Sequence, residues 1–100
     1  MTIRHVVSWK LAADDAAERA EQAAEVARRL TALAGVVPGM LSISAGANTV
    51  LPASNWDVAL VADFVSTEAL DAYQQHPAHV EAAGYIRSVV RDRVAVDFEV

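Results

Sequence analysis

One hundred residues, 54% of them hydrophobic, suffice for one domain with one core and exclude a disordered chain. A net charge of −5 argues against nucleic acid as a partner, because that affinity rests on lysine and arginine against phosphate. The lack of cysteine excludes disulfides, thiolate catalysis and zinc–sulfur sites, and no apolar run approaches the ~20 residues of a membrane helix.

The first residues, MTIRHVVSWK, carry no long apolar stretch or small-residue cleavage site. No signal peptide is expected, and a cytoplasmic location is the default. The segment Ile3–Trp9 is rich in β-branched residues and predicts a strand. Ile3, His5, Val7 and Trp9 share one face; Arg4, Val6 and Ser8 share the other.

Asp14–Gly35 predicts a long helix. Asp15 and Glu18 stand at capping-box spacing, acidic residues crowd the start, Arg28 and Arg29 come late, and Gly35 follows the last turn. The expected buried stripe is Ala16, Ala20, Ala23, Ala27, Leu30 and Ala34. VVPGM is a turn, Leu41–Gly46 alternates as a second strand, and ANTVLPASN is a loop. A third strand runs Trp56–Phe64, with Trp56, Val58, Leu60, Ala62 and Phe64 on one face.

Ser66 caps a helix through TEALDAYQQ. Pro77 cannot continue it, but suits the first position of a new helix, Pro77–Asp92. RVAVDFEV closes the chain as a strand with Val94, Val96, Phe98 and Val100 on one face. Arg28, Arg29, Arg87 and Arg91 read as solvated helix faces among interspersed acids.

The order β-α-β-β-α-β is the α+β, ferredoxin-like plan of one antiparallel sheet with its helices on one side. Val6, Ala59, Val61 and Val65 then leave the alternate faces too apolar for water, so a second copy of the chain, a homodimer, is expected to cover them.

Three stretches now read together: IRHVVSWKL at the start, DVALVADFVSTEALDAYQQHPAHV in the middle and VAVDFEV at the end. They resemble the stress-responsive A/B barrel domain (Dabb) family, as a single domain over residues 1–100. The most specific part is AYQQHPAHV after F-x-S-x-E-A-L. The resemblance implies a monomer whose sheet pairs with a partner's sheet as a dimeric α+β barrel. It also implies a site: a plant polyketide cyclase of the family performs an intramolecular aldol condensation, without cofactor, through the tyrosine and second histidine of this block. By position those roles fall on Tyr73 and His79 as catalytic residues, with the first-strand His5 at the pocket. The break at Pro77 lets both side chains turn toward one space. Histidine suits α-proton removal, and a tyrosine hydroxyl suits the resulting oxyanion.

The expected pocket lies between helices and sheet, with Val7, Trp9, Leu60 and Tyr85 joining His5, Tyr73 and His79. Its expected ligand is a small, apolar, oxygenated molecule of phenolic or polyketide type. No metal and no cofactor are expected, since no carboxylate stands at clear ligand spacing to the histidines. Each residue also has a purely structural reading: His76 as a helix boundary, His5 and His79 as satisfied interior histidines, Tyr73 as an amphipathic core residue. The molecule would then be a non-catalytic structural or ligand-sequestering homodimer. Ala20, Ala23, Ala24 and Ala27 stand where the cyclase has aromatic side chains. They permit a roomier cavity or a helix seated closer to the sheet, and close packing of interiors favours the second.

Overall fold

The computed structural model describes all residues, 1–100. Strand β1 (Ile3–Leu11) is followed by α1 (Ala16–Thr31), β2 (Met40–Ala47), β3 (Val58–Phe64), α2 (Thr67–Gln75), α3 (Pro77–Val89) and β4 (Val90–Glu99). The strands form one sheet in the order β2-β3-β1-β4, every neighbouring pair antiparallel. This is the ferredoxin-like α+β fold, with the second helical segment split in two. The chain's ends meet at the sheet edge, where β4 pairs along β1.

Register decides what each face carries, because directly opposed residues project to the same side. His5 stands between Ala62 and Asp97, Val7 between Leu60 and Ala95, and Trp9 between Val58 and Arg93. This is the helix side, where Val7, Leu60, Ala62 and Phe64 are buried. On the other side Val6 is flanked by Val61 and Val96, and Ser8 by Ala59 and Val94. Phe98 stands opposite Arg4, whose guanidinium makes a bidentate pair with Asp63 at 2.9 and 3.0 Å.

Helix α1 begins at Asp15, whose carboxylate accepts from the Glu18 N–H, and lies over β2 and β3. Its buried residues are Ala23, Val26 and Leu30, continued by Leu33 beyond the helix. The expected stripe is therefore rotated: Ala16, Ala20 and Ala34 are exposed. Alanine gains little from burial, so the larger Val26, Leu30 and Leu33, at helical spacing, set the face. The helix stops at Thr31 and tightens through i→i+3 bonds (Leu33 N to Leu30 O, Ala34 N to Thr31 O) before Gly35 takes a φ of +75°.

Two further boundaries differ from expectation. Trp56 precedes β3, which starts at Val58, rather than opening it. The last helix ends at Val89 rather than Asp92, because β4 starts at Val90 and its strand bonds to β1 claim the backbone there. The apolar set Val94, Val96, Phe98 and Val100 consequently lies exposed, with the first three on the sheet face away from the helices.

Between α2 and α3 a single residue serves both helices. His76, extended at φ −64° and ψ 135°, closes α2 through its N–H to the Tyr73 carbonyl. Its Nδ1 accepts from the Ala78 N–H at 3.1 Å, so it also caps α3, with Pro77 in the first turn. Helix α3 then packs on α1 and α2 rather than on β4. The helix side of β4 is left without close helix cover, and that gap shapes the site.

Candidate functional site

Where α3 parts from β4, a cavity of about 310 Å³ opens between helices and sheet. That volume is at the small end of the ~300–1,000 Å³ usual for ligand pockets. Of the residues assigned to a pocket by sequence, His5, Val7, Trp9, Leu60, Tyr73 and His79 line it. Tyr85 does not: its ring sits under the Arg29 guanidinium, 4.3 Å from the ring centroid, on the far side of α3. The cavity corrects the expectation that small residues on α1 would close the space. It is not lined by Ala20, Ala23, Ala24 or Ala27, and the α1 residue at its wall is Leu30.

Tyr73, at the end of α2, is wholly buried and central. Its ring lies 4.4 Å from that of His79, 4.9 Å from Phe64 and 6.2 Å from His5, measured between centroids. The turn at His76–Pro77 brings the Tyr73 and His79 rings together, tilted at 54° to each other. The Tyr73 Oη is shut off from solvent and has no hydrogen-bond partner in the protein. Burial pushes its phenol up to about 12, with the charge of Arg93 pulling the other way. It is therefore a protonated donor at neutral pH.

His79 Nδ1 lies 3.1 Å from the Gln74 carbonyl oxygen. A carbonyl can only accept, so the proton is on Nδ1 and the Nε2 lone pair is left free. Burial lowers the His79 pKa below its ordinary 6.5; the Gln74 bond opposes this, while His5, Arg87 and Arg93 add to the lowering. At neutral pH the ring is uncharged.

His5 is 3% exposed, and its Nδ1 is in close contact with Asp97 Oδ1. The carboxylate accepts from Nδ1, which fixes this ring's tautomer as Gln74 fixes that of His79. Asp97 is the partner that sequence reading missed. His5 and Asp97 stand opposite each other on the helix side of β1 and β4, a pairing that alternation alone does not reveal. Arg87 and Arg93 were missed as well. Arg87, read as part of a solvated face, lines the cavity from the last turn of α3, and Arg93 lines it from β4. No three side chains of histidine, aspartate or glutamate converge as a metal site would require.

Comparison with known proteins gives a consistent picture. A protein-family model, the stress responsive A/B barrel domain, matches residues 3–100. A dimeric ferredoxin-like protein of unknown function from Thermobifida fusca is 33% identical, with a TM-score of 0.84 over 100% of this chain and 92% of that one. A dimeric protein of unknown function and ferredoxin-like fold from Bacteroides fragilis is 26% identical, with a TM-score of 0.88 over 99% of this chain and 96% of that one. A hydroxynitrile lyase from Passiflora edulis shares the fold at 16% identity and a TM-score of 0.75, covering 97% of this chain and 91% of that one. Among curated proteins none matches the chain.

Proposed function

Because this chain belongs to the stress responsive A/B barrel domain family, we propose that it is a homodimer binding a small, largely apolar, oxygenated molecule in the cavity beside Tyr73 and His79. The observation that carries the reading is Tyr73, a residue of the cavity wall whose buried hydroxyl has no protein partner. Buried polar groups are rarely left unpaired. A ligand carbonyl or phenolic oxygen would satisfy it after a small movement of the wall. The dimer rests on the two dimeric relatives and on the apolar row Val61, Val6 and Val96 across the outer sheet face.

The same groups support cofactor-free acid–base chemistry of the aldol-cyclase type. His79 keeps an unprotonated Nε2 at neutral pH and suits removal of a proton α to a carbonyl. Tyr73 keeps its proton to about pH 12 and would donate to the oxyanion that develops. The second reading is a dimer that holds such a ligand without turning it over, favoured by the tight closure around the Tyr73 hydroxyl.

An NMR pH titration of the three imidazoles tests this, with and without a panel of phenolic and β-keto acids. The expected result is a His79 midpoint below the ordinary histidine value and a His79 signal displaced by ligand. If His5 and His79 ignore every compound, the pocket reading is wrong. Should one compound be turned over, His79→Ala is expected to abolish the turnover. An undiminished rate in that variant would remove His79 as the base.

A further inference from the structure

Five of the chain's arginines are engaged: Arg4, Arg19, Arg28, Arg29 and Arg91 each stand against a carboxylate. Arg87 and Arg93 are paired with none, and both line the cavity. In a chain of net charge −5, acids to neutralise them are plentiful. The nearest such acid by register on the same sheet face, Asp97, is directed to His5 instead. Two like charges, both exposed, thus line the cavity without a counter-ion, in company with the apolar Val7, Trp9, Leu60 and Ile86.

That arrangement has a complement. Resting on the ligand-cavity reading above, we infer that the ligand is an apolar carboxylic acid whose carboxylate is held at the rim by Arg87 and Arg93, with its apolar body among Val7, Trp9 and Leu60. The planar guanidinium is the side chain best matched to a carboxylate, which it engages through two parallel hydrogen bonds. Arg87 comes from the helix and Arg93 from the strand, so an anion between them closes the opening left where α3 parts from β4. Both charges also reach the inner site, since Arg87 and Arg93 lower the proton affinity of His79 and Arg93 that of Tyr73. An anion at the rim therefore reports on His79.

The test uses benzoate, phenylacetate and octanoate beside their primary amides, which keep shape and lose charge. Binding to the intact protein is followed by calorimetry and by the His79 NMR signal at pH 7.5. The acids are expected to bind at least about tenfold more tightly than the amides. Arg87→Gln and Arg93→Gln should each remove most of that preference, and Arg28→Gln should have no effect. Equal binding of acids and amides would overturn the carboxylate assignment while leaving the cavity reading intact. So would a preference that survives both substitutions together. If no compound of either series binds, the cavity reading falls and the assignment with it.

Discussion

Tyr73 buries a whole phenol in the core yet obtains no hydrogen bond for its oxygen. An unpaired buried donor costs about 1–3 kcal/mol, so the hydroxyl works against folding. Tyr73→Phe is accordingly expected to raise stability by about 1 kcal/mol in urea unfolding while weakening ligand binding, as happens where a site is kept at the expense of stability. A fall in stability would mean that the hydroxyl has a structural partner. The pH dependence tests the burial of the phenol. The folded phenol ionises at about 12 and the unfolded one near 10. Its contribution is thus complete below pH 10 and is lost as pH rises to 12, by roughly 2–3 kcal/mol, and Tyr73→Phe should not show that loss. At this scale the sequence was legible for Tyr73, His76 and His79, because all three are arranged by one proline within a few residues. Asp97 was not, since it meets His5 across 92 positions of chain through a strand register that no local pattern encodes.

Among the elements, the approach of α2 to the start of β2 depends on Gly39. Its φ of +81° is left-handed, and a Cβ there would lie 2.7 Å from the Ala69 Cβ on α2. Gly35 has a similar φ, +75°, but open space around its missing side chain. The pair separates backbone strain from collision. Gly35→Ala should cost about 1 kcal/mol, for the conformation alone. Gly39→Ala should cost at least about 1 kcal/mol more, because α2 must shift to admit the methyl. Equal losses in urea denaturation would mean that α2 does not seat against Gly39. The caps and the helix break were readable because Asp15, Ser66 and Pro77 act on their immediate neighbours. The buried stripe of α1 was not. In an alanine-rich helix many faces look alike, and Val26, Leu30 and Leu33 choose among them only once the sheet is present.

For the whole molecule, the question is what the outer sheet face does with Val61, Val94, Val96 and Phe98, all at least 40% exposed. Local alternation put Val61 on the uncovered face and grouped Val94, Val96 and Phe98 on one face of the last strand, but did not say which side of the sheet those three take. The strand order that joins them into one surface was legible only through the ferredoxin-like plan. Val6, at the middle of the row, has Val61 on one side and Val96 on the other. A charge at Val96 would have to be desolvated if a second sheet packs there, at a cost of several kcal/mol, and would cost almost nothing if water covers the face. Sedimentation at micromolar concentration should therefore find the wild-type chain at twice its 10.7 kDa mass and Val96→Asp at a single mass. Val80→Asp, a substitution at an equally apolar and exposed position on α3, should leave the dimer intact. A wild-type monomer, or a dimer indifferent to Val96→Asp, would move the contact away from this face. The cavity opens on the helix side of the sheet, so monomeric Val96→Asp is expected to retain the His79 response to ligand. Loss of that response in a folded variant would mean that the partner helps to shape the site.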